Sequence, residues 1–203
     1  MSFVSFKQRA CNIFIQCAAD YQSVFLDYEY LIYGDGFTML PYYTISAKRG
    51  NYMHLTGVNS SLSPYEFFGR CLNGILTEND FDFIKPDVSE DFVKGVVRSK
   101  VIALPSMKNL FNQKLYAVEN FKTGAVTCSL ATADNKITVG FEYRINARPK
   151  TLLKGNELRK SNKKNLDISL ILRRNRGTNE FDTIIKGNTK DLLRFISKCI
   201  SQT

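Results

Sequence analysis

The chain contains one histidine, His54, set in the run Lys48-Arg49-Gly50-Asn51-Tyr52-Met53-His54-Leu55-Thr56-Gly57-Val58. An imidazole changes protonation state near neutral pH, so it can take a proton from one oxygen or give one to another. Two cations, Lys48 and Arg49, stand a few residues upstream, the Thr56 hydroxyl lies two residues on, and Gly57 permits close backbone approach. Cleavage of an RNA phosphodiester needs such groups. The 2′-OH must lose a proton, the leaving 5′-oxygen must gain one, and positive charge must meet the pentacoordinate phosphate. His54 suits either proton transfer, and the reaction requires no metal ion or other cofactor. The plain alternative is a histidine that only hydrogen-bonds beside a turn.

Two carboxylate groupings add to this. Glu142 and Arg144 are two residues apart in an alternating stretch, which puts a potential base and a phosphate-binding guanidinium on one strand face. An exposed surface pair is the ordinary reading of the same spacing. Pro86-Asp87 followed by Asp134-Asn135-Lys136 has the outline of a metal-dependent nuclease site, in which carboxylates hold Mg²⁺. Asp134 and Lys136, however, read as turn residues. One histidine and no closely spaced cysteine pair argue against a zinc site. No P-loop, nucleophile elbow or dinucleotide-binding glycine turn is present.

The elements that must position these groups read as α+β, with helices gathered on one face of a mainly antiparallel sheet. Apolar residues from Phe3 to Val24 recur at helical spacing and predict an N-terminal helix. Alternation at 26–32 and 37–47 around Gly34-Asp35-Gly36 predicts a hairpin. Ser63-Pro64-Tyr65-Glu66 is a capping box that opens a short helix, and a further helix is predicted from Ser89 to Val101, broken by Pro105. Strands follow at 116–121, 125–133 and 137–145, then a Lys/Asn/Arg-rich loop over 148–166. A hairpin comes next with Arg173-Arg174-Asn175-Arg176-Gly177 at its tip, and Asn188 caps a last helix. At 203 residues this is one domain: helix 1–24, core 25–186 and helix 187–203.

The net charge of +9 is unevenly distributed. Arg144 to Lys198 holds fifteen basic and five acidic residues, a balance of +10, against −1 for the remainder. A one-sided basic region is the electrostatic footprint of a polyanion. Lys154, Arg159, Lys160, Arg173, Arg174 and Arg176, with Lys48 and Arg49 near the histidine, are the expected contacts to an RNA backbone. Five scattered cysteines suit reduced core thiols in a cytoplasmic protein. The charged start of the chain does not suit a signal peptide, and no apolar run is long enough for a membrane span.

Tyr43-Thr44-Ile45-Ser46-Ala47, the His54-Leu55-Thr56-Gly57 run, Tyr65-Glu66-Phe67-Phe68, Leu104-Pro105-Ser106-Met107 and Arg148-Pro149-Lys150-Thr151-Leu152-Leu153 together resemble a phage-associated branch of the barnase/EndoU/colicin/RelE-like nuclease superfamily. The resemblance spans residues 25–186. It implies a barnase/RelE-like α+β domain and metal-independent, toxin-like cleavage of RNA. It further implies His54 as acid or base with Thr56 beside it, and Lys150 and Thr151 as site residues. Arg144 then joins Lys150 in neutralising the phosphate, and a cognate antitoxin or immunity protein becomes a possible partner. A module on the same fold that only binds nucleic acid or an acidic protein is the alternative.

Overall fold

The computed structural model describes residues 4–200, so residues 1–3 of the expected first helix and residues 201–203 of the expected last one lie outside the described residues. Ser5 accepts the Gln8 backbone N–H on its hydroxyl and caps α1 (Phe6–Tyr21), which buries Ala10, Phe14, Cys17, Ala18 and Tyr21 along one stripe. The helix then widens into a π-turn, Gln22–Leu26. The Arg176 guanidinium closes that turn by donating to the carbonyls of Phe25, Leu26 and Ala47.

β1 (Tyr28–Tyr33) pairs antiparallel with β2 (Tyr43–Ile45). The sequence predicts a longer second strand, from Phe37. The loop before β2 is instead drawn to Glu119, whose carboxylate accepts the backbone N–H groups of Thr38 and Met39 and the hydroxyls of Thr38 and Tyr43. Three helices follow: α2 (Asn51–Thr56), α3 (Pro64–Leu72) and α4 (Glu90–Ala103). α3 has the expected capping box between Ser63 and Glu66, and Ser89 caps α4. The α-helix ends at Ala103, ahead of Pro105 as expected, and the further turns expected over Ser106–Phe111 form a 3₁₀ segment, Leu104–Asn112, in whose first turn the missing N–H of Pro105 costs nothing.

Next comes an antiparallel meander of β3 (Tyr116–Thr123), β4 (Val126–Ala133), β5 (Ile137–Tyr143) and β6 (Ala147–Lys154). β6 lies where the sequence predicts loop. β7 (Leu166–Asp167), β8 (Leu170–Asn175), β9 (Thr183–Lys186) and α5 (Thr189–Ile200) complete the described chain. Arg173 and Arg174 are therefore strand residues of β8, not residues of a hairpin tip.

The nine strands form one sheet in the order β7-β3-β4-β5-β6-β2-β1-β8-β9. Every pairing is antiparallel except β2 with β6, so the sheet is mixed. β7 and β8 lie towards opposite ends of that order, yet only Ile168 and Ser169 separate them in sequence. The sheet must therefore curl until its ends approach. Ser169 marks the approach by donating its N–H to the Tyr33 carbonyl of β1. The main core lies between the sheet and α1–α4, with Phe14, Tyr52, Leu55, Phe67, Phe68 and Phe141 fully enclosed. α5 departs from the expected one-sided layout. Its Leu192 and Phe195 pack on Leu31, Tyr33, Leu170 and Leu172, which alternation turns to the opposite face. No helix among the described residues is long and apolar enough to cross a membrane.

Glu119 yields a stability prediction. Burial is the largest single influence and raises its pKa, but the four hydrogen bonds together outweigh it and hold the carboxyl below the usual range. A carboxyl depressed on folding stabilises the protein above its unfolded pKa, and that contribution fades as pH falls through the folded value. Glu119→Gln should cost on the order of 2 kcal/mol at neutral pH and flatten the acid side of the stability curve. Urea denaturation of both proteins across the carboxylate range measures this; identical pH dependence would contradict it.

Candidate active site

α2 is short because its ends are fixed locally. The Asn51 side chain accepts the Lys48 N–H at 2.8 Å, and Gly57 stops the helix in the left-handed region at φ 80°. A side chain at Gly57 is excluded twice, by that φ and by space, since its Cβ would lie 2.6 Å from Cδ of Lys100. Tyr52 and Leu55 anchor α2 in the core, and the Tyr52 hydroxyl donates to the Phe14 carbonyl at 2.6 Å. Asn51 and His54, three residues apart, share the outward face. Beneath them the buried Lys100 ammonium donates to the Leu152 carbonyl at 3.1 Å and so ties α4 to β6. Burial, with Lys85 nearby, pulls its pKa down to about 8.

β5 and β6 supply the opposite wall. Glu142 lies across from Arg148, and Phe141 from Pro149, but Gly140 pairs with Thr151, leaving Lys150 as the extra residue of a bulge. Bulges re-aim side chains, and this one turns Lys150 towards Glu142, with Nζ 3.8 Å from Oε2. Gly140 leaves the bulge room: a Cβ there would lie 2.5 Å from the Cys128 sulfur and 2.8 Å from the Thr151 methyl. Arg144 reaches Glu142 from the other side, Nη2 to Oε1 at 3.7 Å. Both ion pairs are long and solvent-exposed, and such pairs hold their partners weakly. The cations can therefore turn to a phosphate.

These walls enclose an open cleft of about 410 Å³ lined by Asn51, His54, Glu142, Arg144, Arg148, Pro149 and Lys150. The cleft opens where β2 and β6 part. Their parallel contact is one register pair, Ile45 with Ala147, plus the Ser46 N–H on the Ala147 carbonyl. Beyond that point β2 leads away towards α2, while β6 continues through Arg148, Pro149 and Lys150. One imidazole, one carboxylate and three cations thus face a common space. That set can move protons to and from oxygens while balancing the charge of a phosphodiester.

His54, Arg144 and Lys150 meet in this cleft. Thr56 and Thr151 do not: Thr56 is fully buried and donates its hydroxyl to the Met53 carbonyl, and Thr151 is buried at the bulge beside Gly140. Lys154 ends β6 at the far end from Lys150, followed by Arg159 and by Lys160, which pairs with Glu157 at 2.7 Å. Arg174 is held by Glu29 through two hydrogen bonds of 2.9 and 2.6 Å, Arg173 stacks on Tyr28, and Arg176 is occupied with main-chain carbonyls. The basic residues of 144–198 are consequently divided among separate surfaces and structural duties. Arg148 and Asn51 were not singled out by sequence. The signal for Arg148 was its cross-strand position opposite Glu142, invisible until β6 is known to be a strand. The metal-nuclease outline dissolves as well, since Asp134 is buried and accepts the N–H groups of Lys136 and Ile137, while Asp87 sits in a tight turn at φ 58°.

An imidazole sharing a cleft with cations and a single carboxylate suits phosphodiester chemistry, and comparison with protein families agrees on that class: a nuclease-like family model matches residues 13–199. The chain belongs to that family, PBECR4, the phage-Barnase-EndoU-ColicinE5/D-RelE like nuclease4 group. No curated protein and no solved structure matches it.

Proposed function

We propose that the protein is a metal-independent endoribonuclease that cuts RNA by transesterification in the His54 cleft. The observation that supports this best is the meeting of His54 with Arg144, Arg148 and Lys150, nearly a hundred residues away in sequence, around one open cleft. The 2′-oxygen attacks phosphorus, the bond to the 5′-oxygen breaks, and the products are a 2′,3′-cyclic phosphate and a 5′-hydroxyl. One proton leaves the 2′-OH and another reaches the departing 5′-oxygen. His54 carries one of these transfers and Glu142, the carboxylate lining the cleft among the described residues, carries the other. Lys150, Arg144 and Arg148 balance the charge that builds on the non-bridging oxygens.

A chain with this activity is toxin-like in the cytoplasm and calls for a cognate antitoxin or immunity protein. Incubation of the purified protein with total RNA in EDTA tests the activity. Cleavage leaving cyclic phosphate ends is the expected result, and intact RNA of every class would reject it. Binding without cleavage would instead identify a non-catalytic module on this fold.

A further inference from the structure

A second cleft, about 360 Å³, lies at the N-terminal side of α2. Gln22 and Asp27 reach it from the π-turn and its end, Lys48 and Arg49 from the approach to α2, Tyr65 from the first turn of α3, and Arg176 from beyond β8. Three independent features mark it. Tyr65 is 57% exposed, and its ring passes Gly50 so closely that a Cβ there would come within 3.3 Å of it. Lys48 and Arg49 are exposed and neither forms an ion pair among the described residues. Gln22 holds its Oε1 shielded from solvent without a hydrogen-bond partner, within a π-helical turn, a geometry that recurs at functional sites.

These features ask for a flat ring, a donor and an anion together. An unpaired nucleotide offers all three. Its base stacks on Tyr65, and its amino group donates to the Gln22 amide once that side chain turns into the cleft, or to the Asp27 carboxylate. Its phosphate meets Lys48 and Arg49. Arg176 contributes rigidity rather than binding, because its guanidinium already spans three main-chain carbonyls. α2 is six residues long, about 9 Å, so this cleft and the His54 cleft are within reach of neighbouring nucleotides on one strand.

We propose that this second cleft is a base-binding subsite that holds an unpaired nucleobase of the RNA adjacent to the scissile phosphate. In taking RNA as ligand, the subsite rests on the function proposed for His54. The probe is a 2′-O-methyl oligoribonucleotide, which lacks the attacking hydroxyl, carrying a single 2-aminopurine whose fluorescence falls on stacking. The wild-type chain is expected to bind it and quench the reporter. Tyr65→Ala should weaken binding roughly 5- to 100-fold and abolish the quench, while Tyr65→Phe retains both. Binding and quenching unchanged in Tyr65→Ala, with RNA cleavage intact in the wild type, would overturn the subsite alone. Quenching through Tyr65 by a protein that cuts no RNA would overturn the nuclease function and uphold the subsite. No binding by the wild type would overturn the subsite outright.

Discussion

His54→Ala should lower RNA cleavage in EDTA by roughly 10²- to 10⁴-fold, the range over which a positioned proton-transfer group acts. Folding should be unaffected. The imidazole is exposed on the outer face of α2, and the helix is anchored by Tyr52 and Leu55 below, tied to Lys48 by the Asn51 side chain at its start and stopped by Gly57 at its end. Circular dichroism and the melting temperature therefore serve as the control, and single-turnover cleavage of a defined RNA as the measurement. A second readout isolates the proton transfer. The wild-type rate should carry a pH inflection that the residual rate of His54→Ala lacks. Full activity in His54→Ala, or an inflection that persists without the imidazole, would remove His54 from the chemistry.

Lys150→Ala should cost about 10²- to 10³-fold in the cleavage step, the usual consequence of deleting a group that meets developing charge. Lys150→Arg should recover part of this, since the guanidinium keeps the charge but carries it in a planar fork. The informative comparison is Lys154→Ala, four residues along the same strand and at its far end. That change should lower activity only a few-fold, through weaker capture of the RNA backbone, and its effect should vanish as salt is raised. The Lys150 defect should persist in salt because it acts on the transition state. If both variants behaved alike, the bulge that singles out Lys150 would have no functional meaning.

Local sequence signals carried further for the scaffold than for the cleft. Capping residues marked α3 and α5, and period-two alternation marked β3, β4 and β5, because each signal is complete within a few residues. β6 was hidden for three physical reasons. Its cations read as loop, Pro149 breaks the expected hydrogen-bonding pattern, and the bulge at Lys150 shifts the alternation by one. Its pairing partners β5 and β2 are what make it a strand. α2 was hidden by brevity, since six residues cannot display a helical period. The charge count pointed to the right part of the chain for Arg144, Arg148 and Lys150 but overstated the free cations. Glu29, Tyr28 and the carbonyls at the end of the π-turn hold Arg174, Arg173 and Arg176, and such partners appear only with the tertiary fold.

The curl of the sheet bears on when the cleft comes into being during synthesis. β1, from residue 28, pairs with the nearby β2 but finds its second partner only at β8, beginning at residue 170, and β2 meets β6 across a hundred residues. A chain emerging from the ribosome thus exposes His54 long before Arg144, Arg148 and Lys150 exist. Even then β1 lacks one neighbour until β8 follows. Pairings of such long range form late and slowly. A chain halted before residue 144 carries the imidazole but none of the cleft's cations, so under the proposed function an unfinished copy should leave the RNA that encodes it uncut.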